Sequence, residues 1–201
     1  MIIPDFNELT FNEEGHIYTL NGVEVPSVTT LMKPLSSKVY GDINQDALDK
    51  AAARGTAVHE AIETWTKYGI MDVQEEVSGY FDAFLSWWNK ARPELIANEH
   101  KVYHKLLNYA GTVDMIAVVD GIPTIIDFKT SYKVQKSLCA IQLEAYQRAF
   151  ESHGIQLNRR LILHMKKDGK YKEYDFFKDS KVWSVFSALL TIDNYQRSSI
   201  A

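Results

Sequence analysis

Residues 111–129 constrain this chain more than any other stretch. Two runs rich in Val, Ile, Met and Thr, Gly111–Val119 and Ile122–Lys129, flank the dipeptide Asp120-Gly121. Asp-Gly between such runs predicts a two-residue type I′ hairpin. With that turn, Asp114 stands directly opposite Asp127, their Cβ atoms roughly 4.5–5.5 Å apart on one face. Lys129, two residues on, shares the face. Val113, Met115, Ala117 and Val119 alternate with Thr112, Ile116 and Val118, so the hairpin is apolar on both sides. Such a hairpin is expected to be covered on both, and facing carboxylates there need a cation or a shared proton. A divalent metal held by Asp114 and Asp127, with Lys129 beside it, removes the conflict. A solvated pair on an open face is the alternative, and a one-residue slip in register would turn the whole set away.

The organisation read around the hairpin is one domain over 1–201, with 46% hydrophobic residues and four Trp, 11 Tyr and 9 Phe against disorder. Residues 1–45 read as an N-terminal hairpin through Asn21-Gly22, a turn or short helix from Pro26-Ser27, and a Pro-, Ser- and Gly-containing loop over 34–45. Residues 46–92 read as helical: one helix to about Tyr68, stopped near Gly69, and an aromatic one over 73–92, ended by Pro93. The sheet spans 99–177, with strands at 99–106, 110–119, 122–129, 159–167 and 170–177 and a helix over 134–153 closed by Gly154. A final helix covers 180–196. The predicted class is α/β, a central mixed sheet flanked by helices. Without an 18-residue apolar run or a charged-then-apolar start, neither a membrane span nor a secretory signal is expected, and a single cysteine fits an intracellular protein.

Net charge is −4, but residues 1–100 carry 7 Lys and Arg against 16 Asp and Glu, and residues 101–201 carry 15 against 10. Phosphate binding follows local charge, and the second half is the basic one. Lys133 and Lys136 near a helix start, and Lys166 and Lys167 with Lys170 and Lys172 at a hairpin tip, are candidate phosphate contacts; solvated tips are the alternative. His100 and His104 have an i, i+4 spacing that suits zinc only on a helix. In a strand four residues span about 13 Å, which rules out one shared ion.

Gly111-Thr112-Val113-Asp114, thirteen residues before Asp127-Phe128-Lys129-Thr130, resembles the core of the PD-(D/E)XK nuclease superfamily. Three segments resemble its RecB-like exonuclease branch, in small phage-type form: Gly55-Thr56-Ala57-Val58-His59, Gln142-Leu143-Glu144-Ala145-Tyr146, and Tyr18-Thr19-Leu20-Asn21-Gly22 with Pro26-Ser27-Val28-Thr29-Thr30. The resemblance implies a restriction-endonuclease-like core and a Mg²⁺- or Mn²⁺-dependent DNA exonuclease. Asp114, Asp127 and Lys129 are then catalytic, and His59, Asp114, Asp127 and the Phe128 carbonyl are metal ligands. Lys129 then orients or deprotonates the attacking water and stabilises negative charge; a metal-side ammonium is expected to have a lowered pKa, which makes the role of base possible without establishing it. Gln142 and Tyr146, one helical turn apart, grip the nucleotide or order Lys129, with an ordinary amphipathic pair as the alternative.

On geometry alone, His59 at the edge of the Val58, Ile62, Trp65 stripe reads as a core-boundary histidine, and it is the resemblance that turns the reading to a metal ligand. Gly55 would let that helix approach the sheet. Glu63 and Glu99 read as solvated or structural charges, with an outer place around a metal as the alternative. Some relatives carry four cysteines for an iron–sulfur cluster; Cys139 alone excludes one here. The implied partners are DNA and a single-strand annealing or other recombination protein, in a bacterial or phage-infected cell, with an oligomer compatible. A structure-specific endonuclease on the same core, and a non-catalytic DNA-binding module, are the competing functions.

Overall fold

The computed structural model describes residues 1–200. Five strands, β4 (Glu94–Tyr103), β5 (Ala110–Val119), β6 (Ile122–Lys129), β7 (Arg159–Met165) and β8 (Tyr171–Phe176), form a sheet in sequence order. All neighbours are antiparallel except β6 and β7. Helix α5 (Lys136–Ser152) makes the crossover that a parallel pair requires. Neighbouring residues of the central strands go to opposite cores. Met115, Ile126, Leu161 and Leu163 pack beneath helices α3 (Gln45–Tyr68) and α4 (Ser78–Ala91). Ile116, Ile125 and Ile162 pack beneath α5 and α6 (Ser180–Ile200). This two-sided burial is why the strands read as continuous apolar runs. The expected mixed sheet between helical layers is what forms.

The hairpin turns as its sequence dictates. Asp120 and Gly121 have φ of 51° and 77°, the two positive values of a type I′ turn. Pairing runs from Val119 opposite Ile122 to Met115 opposite Ile126, in the predicted register. It stops one pair short of Asp114 and Asp127.

Other boundaries differ from expectation. Strand β4 begins at Glu94 rather than 99, directly after Pro93. Arg92, at φ 46°, closes α4 by donating its N–H to the Trp88 carbonyl, and the chain extends from there. Glu94–Ala97 are good helix formers, so propensity concealed the strand. Residues 33–40 form α2 (Lys33–Tyr40) and not a loop, with Pro34 in its first turn where a missing N–H costs nothing. The N-terminal hairpin is a three-stranded sheet, β1 (Leu9–Asn12), β2 (Ile17–Leu20) and β3 (Val23–Val25), closed over Leu9, Tyr18 and Val25. It leads through Ser27, which caps α1 (Val28–Leu31), to the edge of β5.

The glycine that permits close approach is not Gly55, whose missing Cβ faces open space. It is Gly79 on α4, where a Cβ would fall 1.9 Å from the Lys167 carbonyl oxygen. Backbone against backbone cannot yield cheaply, so Gly79→Ala is expected to cost about 1–3 kcal/mol. Urea denaturation reads this directly; an unchanged midpoint would refute the contact. Among the described residues no helix is long and apolar enough to cross a membrane.

Candidate active site

The site lies where β4 and β5 reverse their facing. Asn98 pairs with Met115 and His100 with Val113, leaving Glu99 and Asp114 between them. The Asn98 side-chain amide donates to Thr66 Oγ1 on α3, whereas His100 stacks on Phe150 of α5 at 5.9 Å. Residues two apart on a regular strand share a face; here they do not, and Glu99 carries the change with φ 45°. Val113 and Met115 are divided between the two cores in the same way. The reversal coincides with the end of β5–β6 pairing. There Asp114 Oδ2 accepts a hydrogen bond from the Phe128 backbone N–H at 2.6 Å, so the side chain ties the strands where the ladder has stopped.

Helix α3 brings His59 over this opening. Its Nδ1 stands 3.6 Å from Glu99 Oε1 and 3.7 Å from Asp114 Oδ1, and one donor atom from each of the three residues lies within 4.8 Å of the others. Its ring meets Phe128 edge-on at 5.6 Å. Asp127 is buried, with Lys129 Nζ 2.5 Å from its Oδ2. Lys129 Nζ also donates to Gln142 Oε1 at 3.4 Å, and Gln142 Nε2 donates to the Tyr146 hydroxyl at 3.3 Å. Gly111 makes room for that tyrosine, since a Cβ there would lie 2.6 Å from Tyr146 Cε1. His59, Glu99, Asp114, Asp127, Lys129, Gln142 and Tyr146 all line one cleft of about 730 Å³.

The electrostatics are those of crowded, partly desolvated charges. Burial disfavours the charged form of His59, but Asp114 and Glu99 outweigh it and lift the pKa to about 9. Burial likewise pushes Asp127 up to about 6 against the pull of Lys129, and raises Asp114 against the pull of His59. For Lys129, burial opposes the ammonium, yet Asp127 and Asp114 more than offset it and hold the pKa above its ordinary value. The lowering expected beside a metal therefore has to overcome these carboxylates.

The remaining candidates are scattered. Lys133 is exposed on the loop after β6. Lys136 lies with Nζ 5.2 Å over the Tyr174 ring of β8. Lys166 and Lys167 are exposed at the β7–β8 turn, at the same end of the sheet as Lys129, which stands opposite His164. None of the four lines the cleft; Lys67 and Lys101 do. Glu63 pairs with Lys67 and also lines it. Glu99, read from sequence as a solvated or structural charge, is instead one of three converging donor groups. Only the strand reversal brings it there, and strict alternation cannot reveal a reversal. His104 lies just past the end of β4, where its Nδ1 accepts from the Leu106 and Leu107 amides. His100 is buried against Phe150, so the two share no site.

A model of the PD-(D/E)XK nuclease superfamily matches residues 41–182, and the chain belongs to that superfamily. No curated protein matches the chain significantly. Among solved structures, it is similar to an alkaline exonuclease (LHK-Exo) from Laribacter hongkongensis at 9% identity and a TM-score of 0.42, covering 75% of this chain and 93% of that one. The same exonuclease in complex with dAMP matches at 10% identity and 0.40, covering 74% and 87%. The structure of SSO0001 matches at 12% identity and 0.37, covering 69% and 74%.

Proposed function

We propose that this chain is a Mg²⁺- or Mn²⁺-dependent deoxyribonuclease that hydrolyses DNA phosphodiester bonds as an exonuclease. The observation that carries the reading is the convergence of Asp114, Asp127, Lys129 and His59 on one cleft from a hairpin and a distant helix. The exonuclease assignment rests on the three RecB-like segments.

The donor set fits a divalent ion. Oxygen and imidazole donors around an octahedral ion at about 2.1 Å lie about 3.0–4.2 Å apart, close to the separations found among His59, Glu99 and Asp114. The cleft supports the same conclusion by charge: Glu13, Glu60 and Glu63 line it beside Glu99, Asp114 and Asp127, and a phosphate backbone would be repelled without a cation. His59, Asp114 and Asp127, with the Phe128 carbonyl and Glu99, would hold it. When bound, it would supply a water more acidic than bulk water and would neutralise phosphate charge.

The chain's own groups do the rest. Asp114 fixes the hairpin mouth through the Phe128 amide. Lys129 is aimed by Asp127 on one side and Gln142 on the other, so that as an ammonium it can orient the attacking water or offset charge on the phosphate; to take the water's proton it would first have to be deprotonated beside the metal. Tyr146 fixes Gln142. Lys133, Lys136, Lys166 and Lys167 are proposed to contact phosphates outside the cleft.

End-labelled single- and double-stranded DNA and a closed circle, incubated with Mn²⁺, test this: linear substrates are expected to be degraded from an end and the circle spared. Cutting of the circle would favour a structure-specific endonuclease, and no cleavage of any substrate would overturn the proposal. For the metal, imidazole suits Mn²⁺ better than Mg²⁺. His59→Ala is expected to weaken Mn²⁺ binding by about tenfold or more and Mg²⁺ binding less, by isothermal titration. Equal Mn²⁺ affinity in both proteins would remove His59 from the site.

A further inference from the structure

The cleft has a second lobe. Thr29, Lys129 and Gln142 line it and the metal-side cleft alike, and beyond them it runs between α2 and α5 as a cavity of about 210 Å³. The chemistry changes across Lys129. On the His59 side the walls are dominated by carboxylates. On the far side, among the described residues, no lining residue is acidic and Lys129 is the one charged group. Met32, Val134 and Leu138 supply apolar surface, and Ser36, Gln135 and Tyr40 supply neutral donors and acceptors.

We propose that this lobe receives the base of the nucleotide adjoining the scissile phosphate, which is therefore unpaired when it is cleaved. The proposal rests on the nuclease reading. A lobe without carboxylates holds no cation and does not repel a nucleic acid. One without a second charge gives no grip to a purely anionic ligand. Apolar walls with a neutral hydrogen-bonding edge suit a heterocyclic base, whose faces are apolar and whose edge is polar, and Tyr40 is the aromatic ring available for stacking. Size restricts the occupant further. The lobe is smaller than the about 300–1,000 Å³ of sites for drug-sized ligands, so it admits one base and not a base pair. A base inside it has left the duplex, as in enzymes that draw a nucleotide from the stack. Because Ser36 and Gln135 each donate and accept, all four bases are tolerated. Single strands and frayed ends are the preferred substrates.

The test uses the full chain carrying Asp114→Asn, a position outside the lobe, so that DNA binds without turnover. Single-stranded oligonucleotides carry 2-aminopurine at the 5′ end, at the adjacent position, centrally or at the 3′ end, in Mg²⁺ buffer. Binding is expected to change the fluorescence of one position by about twofold or more while the others stay nearly constant. Ser36→Trp and Gln135→Trp fill the lobe from opposite walls. Ser36 is half-buried on a helix with no fully buried residue, so Ser36→Trp removes no core side chain. Both are expected to abolish the position-specific signal at unchanged melting temperature. In the otherwise wild-type chain both are expected to raise KM for single strands about tenfold. A signal spread evenly along the bound strand, or one retained in both folded filled variants, overturns the lobe while cleavage of DNA by the wild type leaves the nuclease reading standing. A wild type that cleaves no DNA removes both.

Discussion

Asp114→Ala and Lys129→Ala are each expected to lower turnover on DNA by about 10³-fold or more, with DNA affinity within a few-fold of the wild type. The magnitude follows from what each removes. Lys129 is the cation paired directly with Asp127, and a positioned acid–base or charge-stabilising group contributes about 10²–10⁴-fold. Asp114 has two parts to lose, its place beside His59 and Glu99 and its tie to the Phe128 amide. Single-turnover cleavage with Mn²⁺ by purified variants, alongside fluorescence-anisotropy binding, measures both quantities. Near-normal turnover by either variant contradicts the mechanism.

Like charges alone would make removal of a carboxylate stabilising in metal-free buffer. The structure gives each carboxylate a counter-charge, however, Asp127 from Lys129 and Asp114 from His59. Asp127→Ala strands a partly buried ammonium and is expected to cost about 1.5–3 kcal/mol, the worth of a hydrogen bond to a charged group. Thermal melts in chelator decide it; a raised melting temperature would show that repulsion outweighs pairing.

These residues were readable because they sit on the most local element of the fold. A type I′ turn fixes register over a few residues, and the register found from Val119–Ile122 to Met115–Ile126 is the one that Asp120-Gly121 dictates. Helix α3 was equally legible, since 24 residues of amphipathic sequence end at Gly69 with φ 69°. What escaped depends on contacts between elements. Glu99 enters the site through a strand reversal matched on two strands. Helix α2 has no fully buried residue and packs only Leu35 against the core, so its apolar face is too short to read. Gly55 and Gly79 look alike in sequence, and only the β7–β8 turn pressed against α4 distinguishes them. Asp114 and Asp127 meet in one cleft, yet the ladder predicted to place them opposite one another ends before reaching them.

Glu144 was invisible for the same reason, and its loss is expected to have the largest effect on stability. It lies inside the Gln142–Tyr146 segment between the core residues Leu143 and Ala145, and is fully buried. Its carboxylate accepts from Arg160 of β7, also buried, and from Arg148 Nε at 2.9 Å. Removing one partner of a buried pair leaves the other charged and desolvated, so Glu144→Ala is expected to cost about 3–5 kcal/mol. In a chain of this size that lowers the melting temperature by about 6–20 °C. Replacing both partners with apolar residues, Glu144→Leu with Arg160→Met, removes the stranded charge and is expected to recover much of the loss. The pair also anchors α5 to β7, and α5 carries Gln142 and Tyr146 to Lys129. Kinetics below the melting transition separate the two roles. If Glu144 acts only as an anchor, folded Glu144→Ala keeps kcat within a few-fold of the wild type while its unfolding midpoint falls. A loss below about 1 kcal/mol would place the pair among weak surface-type bridges and contradict its burial.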